Sequence, residues 1–116
     1  MSDTRLHVTV TDDPGRHVFV ARLDDGTEAG GAYYQRHAGV VIFTHTEVDP
    51  AFEGKGIGSQ LAAGALGLVR DAGATTVPLC PFIRAYMGKH PEYDDLLQAY
   101  TDFGTRAAGP GGPAAG

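Results

Sequence analysis

The sequence has few residues of several types, and each shortage excludes a class of protein. Its 116 residues include a single cysteine, which excludes an intrachain disulfide framework and suits a reducing compartment. No apolar run approaches the roughly 18 residues that span a bilayer. The N-terminus MSDTRLH also lacks the basic and hydrophobic regions of a signal peptide. We therefore expect a cytoplasmic protein with no membrane partner.

Basic residues are also scarce. The chain has nine Lys and Arg residues and 14 Asp and Glu residues, which gives a net charge of −5. Because nucleic-acid binding requires a basic surface, no nucleic-acid partner is expected. The acidic balance is compatible with a cationic or amine substrate. The five histidines are scattered without metal-ligand spacing, so no metal site is predicted.

The first half of the chain is typical of an antiparallel meander. A chain of this length without internal repeats can form one domain around one core. Its first half contains alternating or β-branched apolar segments separated by turn residues, which predicts strands. The predicted strands cover residues 5–12, 17–23, 28–36 and 40–48.

After Pro50 the apolar residues recur at steps of three and four, which predicts a helix. The small residues of this helix, including Gly64 and Gly67, indicate close packing on the sheet. An irregular strand is expected to follow, and Pro78 favours an edge position for it. The predicted elements are a helix over 57–72, a strand over 74–80, a helical turn over 82–88, and a last helix from Pro91 with Tyr93, Leu96, Leu97 and Tyr100 on one face. We expect residues 1–4 to form an N-terminal arm, 5–103 the domain, and 104–116 a flexible Gly/Pro/Ala tail.

Three alternating glycines, Gly54, Gly56 and Gly58, lie at the start of the predicted helix. Glycines allow a sharp turn and a close approach of the backbone to a ligand. The free N–H groups and the dipole at a helix N-terminus favour an anion. Because a plain turn would need only one glycine, the pattern predicts a phosphate site.

The loop does not match the two common nucleotide-binding patterns. In a Walker A loop a glycine would stand where Asp49 is, and Ser or Thr would follow Lys55. In a dinucleotide fingerprint the third glycine would fall on Ser59. The general features of an anion-binding turn remain, without either specific pattern.

The stretch VDPAFEGKGIGSQLAAGAL resembles the pyrophosphate-binding segment of the GNAT acetyltransferase superfamily, whose pattern Arg/Gln-x-x-Gly-x-Gly/Ala falls here on Glu53 to Gly58. FTHTEV before it and PLCPFIRAYMGKHPEYDDL after it are similar to short GNAT-like N-acetyltransferase domain proteins, over about residues 5–97. The resemblance implies an α+β fold: a mostly antiparallel mixed sheet, a glycine-loop helix after the fourth strand, and a splayed fifth strand. Glu53 departs from the family's Arg or Gln, and we expect it to point away from the pyrophosphate.

The resemblance further implies acetyl-CoA as the cofactor and an amine, in a small molecule or a peptide, as the acceptor. The pyrophosphate would meet the backbone of the glycine loop. The pantetheine arm would run between the strands that end near Val48 and Cys80, and Lys89 is a candidate contact for a CoA phosphate. The implied cofactor-binding residues are Val48, Lys55, Gly56, Ile57, Gly58, Ser59 and Lys89.

Four side chains are candidates for the chemistry near the thioester. Cys80 is either a nucleophile that forms an acetyl-enzyme or a small buried hydrophobic residue. His45 is either a general base or a histidine bonded at the sheet end, and Glu47 could orient it or act through water. Tyr86 is either the acid that protonates the CoA thiolate or a core tyrosine. Strand alternation predicts that His45 shares a face with Phe43 and Glu47.

Two classes of function follow. The first is an acyltransferase that passes an acetyl group to an amine, directly or through Cys80. The second is a non-catalytic CoA- or acyl-CoA-binding module. Glu53 favours this second class, as does the short turn that replaces the acceptor-site helices of larger members. A nucleotide-binding domain of another kind would instead prefer NAD or ATP. A monomer or a weak homodimer is expected, since an exposed sheet edge can pair.

Overall fold

A computed structural model of the chain describes residues 6–98, which form one five-stranded sheet with two α-helices and two short 3-10 helices. The strands are β1 (Val8–Asp13), β2 (Val18–Leu23), β3 (Glu28–His37), β4 (Val40–Val48) and β5 (Thr75–Pro78). The α-helices are α1 (Ile57–Asp71) and α2 (Pro81–Lys89), and the 3-10 helices are Pro50–Phe52 and Pro91–Leu96. The expected arm 1–4, the tail 104–116 and Tyr100 lie outside the described residues.

The sheet has the strand order β1-β2-β3-β4-β5. The first four strands are antiparallel, and β5 runs parallel to β4. This confirms the predicted mixed, mostly antiparallel sheet of an α+β protein. The pairing of β4 with β5 covers only Val40–Phe43 of β4. The second half of β4 therefore separates from β5, as the predicted splay requires.

A β-bulge in β4 decides which side chains share a face. Tyr33 pairs with His45 but Tyr34 pairs with Phe43, so Thr44 is the extra residue. Paired residues share a face, and neighbouring residues of a strand face opposite sides. His45 therefore lies on the face opposite Phe43, and the prediction from strict alternation was wrong for this pair. His45 and Glu47 do share a face, since their side chains form a hydrogen bond of 2.9 Å.

Helix α1 packs on the face of the sheet that carries Phe43. The ring of Phe19 lies between those of Tyr34 and Phe43, with centroids 4.7 and 5.7 Å away. The predicted close approach of α1 is confirmed at Gly64, where an added Cβ would lie 2.5 Å from Val10 Cγ2. The buried residues of α1 are Ile57, Leu61, Ala62, Ala65, Leu66 and Val69.

Two helical elements after β5 differ from the prediction. The expected turn over 82–88 is the nine-residue helix α2. The expected last helix is a 3-10 helix that ends at Leu96. Leu97 instead forms a parallel bridge with Thr76, and Gln98 N–H donates to the Thr76 carbonyl at 2.9 Å. These bonds to the outer edge of β5 hold the chain extended after Leu96, and local sequence cannot reveal them.

Within residues 6–98, no helix is long and apolar enough to cross a membrane.

Candidate functional site

The loop between β4 and α1 has the backbone of an anion-binding turn. Gly54 and Gly56 have φ angles of +79° and +81°, in the left-handed region that favours glycine. Alternation of left- and right-handed residues turns successive N–H groups toward one side. Gly56 is the N-cap of α1 and has no side-chain capping bond. The N–H groups of the first helical turn are therefore available to a ligand.

A groove runs from the start of α1 along α2. An added Cβ on Gly58 would lie 2.9 Å from Phe82 Cζ, so the third glycine leaves room for the ring of this exposed side chain of α2. The groove has a volume of about 160 Å³. It brings together Ser59 of the glycine loop region and Lys89, two of the predicted cofactor contacts. Its lining residues are Ser59, Phe82, Ala85, Tyr86, Lys89 and His90.

Tyr86 lies in this groove. Its ring stacks on that of His90, with centroids 4.0 Å apart and an interplanar angle of 22°. Burial, followed by the effects of Tyr93 and Glu92, raises the pKa of the Tyr86 hydroxyl. The hydroxyl is consequently protonated at neutral pH and is a weaker acid than an ordinary tyrosine.

Cys80 lies where β4 and β5 separate. Its N–H donates to the Phe43 carbonyl at 2.9 Å, and its side chain is buried. The Cys80 Sγ atom lies 3.0 Å from Thr46 Oγ1, within hydrogen-bond distance. Thr46 was missed by the sequence analysis, because no motif marks it and the strand separation that exposes it to Cys80 is a tertiary feature.

His45, Glu47 and Tyr33 form a second group on the other face of the sheet. His45 Nε2 lies 2.9 Å from the Glu47 carboxylate. The Tyr33 ring stacks on the imidazole at 6.0 Å between centroids. Because Thr46 and His45 are neighbours on one strand, Cys80 and His45 lie on opposite faces. The structure therefore does not bring the predicted Cys–His pair together.

Glu47 and Tyr33 also line an open cavity of about 590 Å³ at the ends of β3 and β4. Thr46, which contacts Cys80, lines the same cavity, whereas His45 does not. Four carboxyl-bearing residues take part in the lining: Glu28, Glu47, Asp49 and Glu53. Glu53 thus lies at this cavity and not in the groove beside α1. Among the described residues, no cluster of three or more His, Cys, Asp or Glu could hold a metal ion.

The separated β4 and β5, beside a glycine loop at a helix N-terminus, form the arrangement that the resemblance to GNAT proteins implied. The family model described as GCN5-related N-acetyl-transferase matches residues 18–96. The chain therefore belongs to this family, whose members are N-acetyltransferases.

One solved structure shows the same fold. The NMR solution structure of a GCN5-like protein from Staphylococcus aureus superposes with a TM-score of 0.58 at 18% sequence identity. The match covers 92% of this chain and 100% of that one. No curated protein sequence matches the chain.

Proposed function

We propose that this protein transfers an acetyl group from acetyl-CoA directly to a cationic amine. The observation that carries the proposal is the left-handed glycine loop at the start of α1, opening onto a groove that ends at Lys89. Backbone donors at one end and an ammonium group at the other suit the phosphates of CoA. Acetyl-CoA, when bound, supplies the activated acetyl thioester.

The chain offers contacts for two parts of this cofactor, the pyrophosphate and the pantetheine arm. The N–H groups of Gly56, Ile57, Gly58 and Ser59 would hold the pyrophosphate, whereas the Lys55 N–H already donates to the Phe52 carbonyl at 3.2 Å. Beyond Phe43, the β5 side of β4 has no paired strand within residues 6–98, so its backbone groups up to Val48 would be open to the pantetheine amides.

The carboxylate-lined cavity suits the acceptor. The Arg16 guanidinium donates two hydrogen bonds to the Glu28 carboxylate, of 3.1 and 2.8 Å. The Asp49 carboxylate accepts a hydrogen bond from the Ala51 N–H at 2.9 Å. Glu47 contacts the His45 imidazole through Oε2, so we assign Glu47 Oε1 and the Glu53 carboxylate to attracting an ammonium group. Glu47 lines the cavity and His45 does not, so we assign the base to Glu47 and a positioning role to His45. Glu47 would remove the proton, directly or through water, so that the neutral amine can attack.

Tyr86 is proposed to protonate the departing thiolate. Direct transfer is favoured over an acetyl-cysteine because Cys80 is paired with the Thr46 hydroxyl and lacks an imidazole partner on its face. A Cys80→Ala variant that retains acetyl transfer would support the direct route, whereas complete loss of turnover with intact cofactor binding would contradict it.

Calorimetric titration with acetyl-CoA, CoA, NADH and ATP tests the cofactor assignment. We expect micromolar binding of the two CoA species only. In Gly56→Ala, a left-handed alanine and a methyl group at the phosphate side should raise the Kd for acetyl-CoA at least about tenfold.

Gly39→Ala is the matched control for this variant. Gly39 has φ +82° in the β3–β4 turn, with nothing within 4 Å of an added Cβ. It should lose similar stability and keep the wild-type Kd. Equal Kd values for all three proteins, or no binding of either CoA species by the wild type, would contradict the assignment.

Acetyl transfer is then measured with a panel of a polyamine, free amino acids, a lysine peptide and a peptide N-terminus. Binding of acetyl-CoA without transfer to any of these amines would instead favour the non-catalytic acyl-CoA-binding module.

A further inference from the structure

Gln60, in the first turn of α1, connects the glycine loop to the start of β1. Its Nε2 donates to the carbonyls of Leu6 at 2.6 Å and Gly56 at 3.1 Å. Its Oε1 accepts from the Val8 N–H at 3.1 Å. The Leu6 N–H also donates to the Lys55 carbonyl at 2.8 Å. The half-buried amide of Gln60 thus makes three hydrogen bonds, two through Nε2 and one through Oε1, and together they hold the loop against the sheet.

These bonds determine where the loop N–H groups point. In a trans peptide the N–H points opposite to the carbonyl of the same plane. The Lys55 carbonyl is directed at Leu6, so the Gly56 N–H is directed away from the sheet. The Gly56 carbonyl is directed at Gln60, so the Ile57 N–H points out of the helix start. Anchoring two carbonyls therefore orients two donors of the proposed anion site.

We propose that Gln60 is a positioning residue that preorganises the glycine loop for the pyrophosphate of acetyl-CoA. This inference rests on the proposed function. The physical reason is that a loop already held in its binding conformation loses less conformational freedom when the ligand binds. Neither Leu6 nor Gln60 contributes to the glycine pattern, so the contact is visible only in the tertiary structure.

The test replaces Gln60 with methionine, which keeps the length of the side chain and removes all three hydrogen bonds. We expect the Kd and KM for acetyl-CoA to rise about tenfold, with kcat at saturating acetyl-CoA close to that of the wild type. Without any ligand, the amide hydrogens of Gly56 and Ile57 should exchange faster in the variant.

Tyr34→Phe is the matched control. It removes another half-buried hydrogen bond to β1, between the Tyr34 hydroxyl and Asp12 Oδ1 at 2.5 Å, remote from the glycine loop. It should lower the melting temperature without changing the KM for acetyl-CoA. If Gln60→Met behaves like Tyr34→Phe in KM and in loop exchange, the inference is overturned.

A failure of the proposed function would give a different experimental result from a failure of the Gln60 inference. A wild-type protein that binds no acetyl-CoA would overturn the cofactor assignment, and with it the role of Gln60 in cofactor binding. Faster exchange at Gly56 and Ile57 in the variant would then still support the anchoring of the loop by Gln60.

Discussion

Glu47→Gln should lower kcat for acetyl transfer by about 10²–10⁴-fold, the usual contribution of a general base. Glutamine keeps the shape of the side chain but cannot accept the proton of an ammonium acceptor. The Glu47 side chain lines the acceptor cavity, whereas the proposed cofactor contacts lie at the glycine loop and α2 and on backbone groups of β4, which the substitution leaves in place. The Kd for acetyl-CoA should therefore stay unchanged. Steady-state kinetics and calorimetry on the same preparations measure the two effects separately.

Glu28→Gln is the matched control, because Glu28 lines the same cavity and undergoes the same substitution. Its carboxylate is held by Arg16, whose hydrogen bond lowers the pKa of Glu28. We expect this variant to lose the ion pair and keep most of its kcat. A Glu47→Gln enzyme with wild-type kcat, or equal losses in both variants, would contradict the assignment of Glu47 as the base.

Gly64→Ala should destabilise the protein by about 1–3 kcal/mol, the usual cost of overpacking a core. The added Cβ would lie 2.5 Å from Val10 Cγ2 and 2.6 Å from Val10 Cβ. A change of rotamer can move Cγ2, but the position of the Val10 Cβ is set by the backbone of β1. Helix α1 and strand β1 must therefore move apart, and the packing around them loosens.

For Gly67→Ala, in the same helix, we expect the opposite change in the free energy of unfolding. Nothing lies within 4 Å of a Cβ at Gly67. Alanine should therefore stabilise the protein by up to about 1 kcal/mol through its higher helix propensity. Urea unfolding of the wild type and both variants, with m-values compared, measures the difference. Equal shifts of the two midpoints in the same direction would show that the contact with Val10 does not govern the packing of α1.

Much of the fold was predictable because it depends on local pattern. The alternation in residues 5–12, the turn residues between the strands and the change of period after Pro50 led to the antiparallel meander and to α1. The alternating glycines predicted a sharp turn, and the structure has this turn with left-handed backbone at Gly54 and Gly56. The domain limits and the oligomeric state stay predictions. The roles of the individual site residues also stay predictions, and the experiments above address them.

The bulge at Thr44 was not predictable, and it reorganises the candidate site. An extra residue in β4 lets both Phe43 and Tyr34 face the core while His45 turns to the other side. This arrangement is decided by the pairing of β4 with β3 and by the packing around Phe19. It separates His45 from Cys80, which strand alternation alone could not foresee.

The sequence by itself thus determined the class of fold, the glycine loop and its resemblance to an acetyl-CoA site, because these follow from patterns within a few consecutive residues. The tertiary structure alone decided that Cys80 meets Thr46, that Glu47 lies at an acidic cavity, and that Gln60 holds the loop against Leu6 and Val8. The physical reason is that each of these contacts joins residues far apart in the chain. They depend on strand register and close packing, which no short stretch of sequence encodes.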